Sequence, residues 1–190
     1  MAVANMESEI RKHLSDMEES FIGLVIVDPE RFHEAGMELV KHLAKERNLP
    51  GIYIAGNQGY ESLTRHFEKN KIDTKALTFI DCVTEKPAEE KADSLNPVLV
   101  GSPEQLTDLE IALEKALKRH ADKNHFVLLD SITTFLVYHD EKTLQKFVHG
   151  MSSMIRAHQK SRAIFMAINQ EEAKNLFSAM AQYCDKTIRI

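Results

Sequence analysis

At four places in this chain, polar side chains stand directly behind a short apolar run, where a sheet would offer them to a ligand. Asp130-Ser131 follows HFVLL, Asn169-Gln170 follows AIFMAI, Asn57-Gln58 follows GIYIAG, and Asp28-Pro29-Glu30 follows FIGLVIV. An acid beside a hydroxyl offers oxygen acceptors and one donor to whatever faces the strand end. Amides hold ligands by hydrogen bonds but cannot serve as the general base that polarises water. The acids on either side of Pro29 would repel an anion.

The elements that must position these residues are legible from hydrophobic pattern. Phe21 to Val27, Gly51 to Gly56, Leu77 to Val83, His125 to Asp130, Ala163 to Ile168 and Lys186 to Ile190 read as strands. They lack clean polar alternation, which predicts a sheet covered on both faces. Amphipathic helices lie between them. In GSPEQLTDLEIALEKALKRH, Ser102 is the expected cap and Gln105 completes a capping box, while Leu106, Leu109, Leu113, Ala116 and Leu117 form the apolar stripe. Later helices place Leu144, Phe147, Val148, Met151, Met154 and Ile155 on one apolar face, then Leu176, Phe177, Met180 and Tyr183. Strand and helix alternate, so the fold class is α/β with a mostly parallel central sheet and helices on both faces, three layers in all.

Composition bounds what such a domain does. A chain of 190 residues suits one domain, and a domain of that size buries roughly 70% of the surface of its unfolded chain. A core needs no staples. The net charge of −5 argues against nucleic acid or a membrane surface as the main partner. Cys82 and Cys184 have no paired spacing, and the nine histidines show no short ligand spacing, so no disulfide and no metal site are expected. No apolar run spans a membrane and the N-terminus does not read as a signal peptide, which places the protein in the cytoplasm. Residues 1–20 read as an N-terminal amphipathic helix and 21–190 as the single domain. Met6, Ile10, Leu14 and Met17 share one helical face, a candidate homo-oligomer interface if not packed on the domain itself. Thr84 to Pro97 reads as an exposed loop with room for a short helix.

The order of the pieces resembles the RecA superfamily, and within it the KaiC-like and RadA-like proteins. FVLLDSITTF is similar to their Walker B strand, MAINQ to the strand that ends in an Asn-Gln pair near the nucleotide, and YCDKTIRI to the late strand that closes the sheet. GSPEQLTDLEIALEKAL resembles the helix that precedes Walker B. The likeness runs from about Phe21 to Ile190. It implies a RecA-like fold, with Asp130, Ser131, Asn169 and Gln170 as remnants of a nucleotide site.

The likeness breaks at the phosphates. A P-loop needs glycine amides and a lysine between the first strand and helix, but the junction here reads LVIVDPERFHEAGMELVKHL. Gly36 alone stands for a motif glycine, with Met37 in the lysine's place and Glu38 in the hydroxyl's. A simpler reading has no loop: Asp28 caps the helix, Pro29 fills its first turn, and Phe32, Gly36, Leu39, Val40 and Leu43 face the core. A helix N-terminus attracts an anion by about 0.3–1 kcal/mol, whereas a like charge at 4 Å repels it by about 4 kcal/mol near a surface. Asp28 and Glu30 therefore decide against a phosphate. Asn57 and Gln58 stand where KaiC-like ATPases place a catalytic glutamate.

Ordinary roles compete for the same residues. Asp130 and Ser131 are also what a strand end uses to bond the next turn, and Asn169 would cap a helix ahead of Glu171 and Glu172. The reading the resemblance favours is a non-catalytic KaiC-like module, a pseudo-ATPase working through an unidentified protein partner in regulation or signalling, with no cofactor. An atypical ATPase binding ATP and magnesium through Asp130 is one alternative. A receiver-like signalling domain with Asp81 as phosphoacceptor is another, and a DNA-associated recombination mediator a third, disfavoured by the acidic charge.

Overall fold

The computed structural model describes residues 5–15, 20–86 and 97–190. Seven parallel strands form one sheet in the order β4-β3-β2-β5-β6-β1-β7. They are β1 (Phe21–Val27), β2 (Gly51–Ala55), β3 (Leu77–Asp81), β4 (Val98–Leu99), β5 (His125–Asp130), β6 (Ser161–Ile168) and β7 (Lys186–Arg189). The two-residue β4 has no sequence signal of its own. Its pairing rests on Ile80 and Asp81 beside Val98 and Leu99.

Alternate strand residues feed two cores, as the two-residue side-chain period requires. Leu24, Ile54, Leu129 and Phe165 face one layer, made of α4 (Leu106–His120), α5 (Glu141–Arg156) and α6 (Lys174–Met180). Val25, Tyr53, Leu128 and Met166 face the other, made of α1 (Met6–Leu14), α2 (Phe32–Val40) and α3 (Tyr60–Lys69). The α/β three-layer expectation therefore holds. A π-helical turn, Lys41–Glu46, continues α2 and buries Leu43.

The N-terminal helix corrects one expectation. Met6, Ile10 and Leu14 are only 2%, 1% and 1% exposed and join the cluster of Val25, Leu39, Leu43 and Ile188. Ion pairs fasten the outer face: Arg31 to Glu9 at 2.7 Å, Arg11 to Glu46 at 2.6 Å and Lys41 to Glu7 at 3.3 Å. An apolar stripe must be covered, and here its own domain covers it. The stripe is core, not an oligomer contact; Met17 lies outside the described residues.

One cap also differs from expectation. Ser102 accepts from the Glu104 amide through Oγ at 3.2 Å and closes a turn with Gln105, so α4 starts later, at Leu106. Asp140 is the working cap of α5, its carboxylate accepting from the Thr143 amide at 2.8 Å.

Candidate functional site

The chain leaves β2 toward β3 and β4, and leaves β5 toward β6, so the direction of winding reverses between neighbours β2 and β5. In open α/β sheets a crevice opens outside the strands' carboxyl ends at such a reversal. Asn57 and Asp130 stand at its two lips. Gly56 lets them approach: its amide donates to the Asp130 carbonyl, and a Cβ there would sit 2.7 Å from that oxygen.

Asp130 is 7% exposed and both carboxylate oxygens have partners. Oδ2 accepts from the Tyr53 hydroxyl at 2.8 Å and Oδ1 from the Asn57 amide at 3.0 Å. The Asn57 carbonyl in turn accepts from the Thr134 hydroxyl. Burial pushes the Asp130 carboxyl above its ordinary pKa, against the opposing pull of Tyr53, Asn57 and the more distant His33. Tyr53 is pushed well up, first by burial and then by the Asp130 charge. Each oxygen has a second acceptor position. The cleft in front of them holds about 250 Å³ and is lined by Phe32, His33, Met37, Tyr53, Gln58 and Ile168 among others.

Ser131 points elsewhere. Its hydroxyl meets the Thr133 hydroxyl at 2.6 Å, and Thr133 Oγ1 accepts from the Ile168 amide at 3.0 Å. That bond ties the 3-10 turn Ile132–Val137 to the end of β6. Asn169 does not cap the following helical turn, Glu171–Ala173; Gln170 occupies that position without a side-chain bond. Instead the Asn169 amide donates to Asp28 Oδ1 at 2.8 Å.

At the end of β1 the chain passes from Val27 through Asp28 into the 3-10 turn Pro29–Arg31 and then α2. Asp28 stands at the cap position but its side chain bonds no helix amide, a correction to its expected capping role. Gly36 and Met37 line the cleft, whereas Glu38 pairs with Lys41 at 3.0 Å. Pro29 and Glu30 are exposed.

Asp81, at the end of β3, is a structural hub. It accepts from the amides of Tyr60, Val83 and Thr84 at 2.8, 2.8 and 2.9 Å and from the Thr84 hydroxyl at 2.6 Å. Burial pushes its carboxyl up, but the Thr84 hydroxyl and the backbone donors outweigh it and hold the pKa below the ordinary value. Its acceptor positions are filled and its side chain is buried, so Asp81 serves the local architecture of the β3 end. Among the described residues, no group of three or more His, Cys, Asp or Glu could hold a metal ion. No helix among them is long and apolar enough to cross a membrane.

Residues 25–190 match the family described as a family of unknown function, DUF7504. The chain belongs to that family. No curated protein matches it. Among solved structures it is similar to a KaiC-like protein from the hyperthermophilic archaeon Pyrococcus horikoshii OT3, at TM-score 0.65 and 9% identity, over 90% of this chain and 71% of that one. The fold of this DUF7504 member is thus RecA-like, of the KaiC kind.

Sequence reasoning placed Asp130 and Asn57 at strand ends but missed that they bond each other. It passed over Tyr53, His33 and Thr134. A tyrosine inside GIYIAG, two residues before a strand's end on the face of Asp130, was the available signal.

Proposed function

We propose that this DUF7504 domain is a non-catalytic KaiC-like module, a pseudo-ATPase that works through a protein partner in regulation or signalling. The β1 junction carries the reading. Where a phosphate would need amides and a lysine, the chain presents Asp28, Pro29 and Glu30, and the Asp28 carboxylate is held by Asn169. Pro29 brings no amide at all.

The switch-point cleft supports the same conclusion. Its volume of about 250 Å³ falls below the roughly 300–1,000 Å³ of ordinary small-molecule pockets. Asn57 and Gln58 are amides, so neither deprotonates a water molecule. Asp130, raised by burial and bonded to two neutral donors, keeps its place as part of the scaffold. Acidic net charge keeps DNA out of the reading, and a homo-oligomer would need a surface other than the apolar stripe of α1.

Isothermal titration with ATP and magnesium, checked by thermal shift, tests this. Binding at a hundred times the dissociation constant would stabilise the fold by about 2.7 kcal/mol. We expect neither heat nor shift. Saturable binding that disappears in Asp130→Ala would overturn the reading in favour of an atypical ATP site.

A further inference from the structure

Resting on the reading of a module that works through protein partners, we propose that the 3-10 turn Ile132–Val137 and the groove beside it dock a basic amphipathic segment of another protein. The groove holds about 610 Å³. Leu136, Val137 and Ile168 supply its apolar surface, and Asp140, Glu141 and Glu172 its rim.

Two observations mark the turn as built for contact. Val137 is 79% exposed and Tyr138 44%, together the largest apolar side chains that two successive described residues leave in solvent. Residues on both sides of them are fastened. Phe135 is fully buried and stacks on Phe147 with ring centres 6.1 Å apart. Thr133 is bonded to Ser131 and to the β6 end, Thr134 to Asn57, and His139 Nε2 to the Pro103 carbonyl oxygen at 3.1 Å. A loop anchored on both sides of two exposed apolar residues holds them rigidly, which lowers the entropy a partner must overcome. The Asp130–Asn57–Thr134 chain thereby gains a use: it positions a docking turn.

Charge selects the occupant. Among the described residues, no ion pair engages Asp140, Glu141 or Glu172, whereas Glu171 beside them is paired with Lys174 at 2.6 Å. The Asp140 carboxylate is held below its ordinary pKa, first by the Thr143 amide, so it stays charged. An acidic rim repels nucleic acid and anionic lipid and attracts lysine and arginine. A helix or strand carrying one or two bulky apolar anchors flanked by basic residues fits both features.

The test is a selection from a phage-displayed library of random peptides on the wild-type domain, with counter-selection on Val137→Asp. Selected peptides should pair bulky apolar residues with Lys or Arg, lose about tenfold or more in affinity for Val137→Asp, and weaken as salt rises. Glu141→Lys with Glu172→Lys should reverse the charge preference of the peptides selected. Because Val137 is solvent-exposed, the variant should melt as the wild type does, and a matching circular dichroism melt verifies that. Failure to enrich any family, or peptides indifferent to both variants, overturns the proposal. So does a drop in light-scattering mass for Val137→Asp, which would assign the groove to a second copy of this chain. Repeating the binding with ATP and magnesium separates the two readings: peptides that bind while ATP also binds would sink the pseudo-ATPase and leave the groove. A silent titration with no selected peptide would do the reverse.

Discussion

Asp81 and Asp130 end strands that flank β2 on either side, yet their surroundings push them in opposite directions. Asp81 accepts four hydrogen bonds, three of them from backbone amides, and is held below the ordinary carboxyl range. Asp130 accepts two, from Tyr53 and Asn57, and is raised. Burial opposes the charge in both. What differs is the number of donors, so burial alone tells little about whether a carboxylate is fixed in place or open to a ligand. Asp81 organises the β3 end; Asp130 has acceptor capacity left and a cleft to use it in.

The comparison breaks first at Asp81. Asp81→Ala would leave three amides and a hydroxyl without their acceptor, and the start of α3 would lose its tether to β3 through Tyr60. We expect about 3 kcal/mol of destabilisation by urea unfolding, with an unchanged slope. A loss under about 1 kcal/mol would mean water replaces the carboxylate easily and that Asp81 is no hub.

Tyr53→Phe sharpens the other side. It removes one of the two donors to Asp130 while keeping the ring that packs at 5.5 Å from Phe67 and 5.8 Å from Phe79. The expected cost is about 1.5 kcal/mol near neutral pH, the usual scale for a hydrogen bond to a charged group. It should shrink at acid pH, where Asp130 is protonated. A cost independent of pH would place the effect in ring packing instead.

How much of this was readable beforehand divides along the same lines. The apolar runs located six strands because a doubly covered sheet leaves an uninterrupted signal. Val98 and Leu99 gave none, since a two-residue strand has no period. The Met6, Ile10, Leu14 stripe was legible as a buried face, but nothing in an amphipathic pattern says which surface covers it. Asp130 was legible as a strand-end acid. Its bonds to Tyr53 and Asn57 cross 77 and 73 residues of sequence, so only the pairing of β2 with β5 makes them. Asn169 was expected as a cap and instead joins Asp28 across 141 residues, for the same reason.

The smallest expected effect is the most discriminating. In Asp130→Asn the carbonyl still accepts from Tyr53, and the Asn57 amide can rotate to face the new NH2, with Thr134 then accepting. The loss should therefore stay within about 1 kcal/mol. Its sign with pH separates the two acids. Because the folded pKa of Asp130 lies above the unfolded value, near 3.8, the unfolded chain ionises first. Wild-type stability should fall relative to Asp130→Asn as pH rises from about that value through the folded pKa, then level off. Asp81 runs the other way: its folded pKa is lowered, so its contribution is present above the unfolded value and lost as pH falls through the folded one. Urea unfolding of the wild type, Asp130→Asn and Asp81→Asn between about pH 3 and pH 7 reads the two trends side by side. Curves that bend the same way would mean that a charged donor or a cation near Asp130 outweighs its burial.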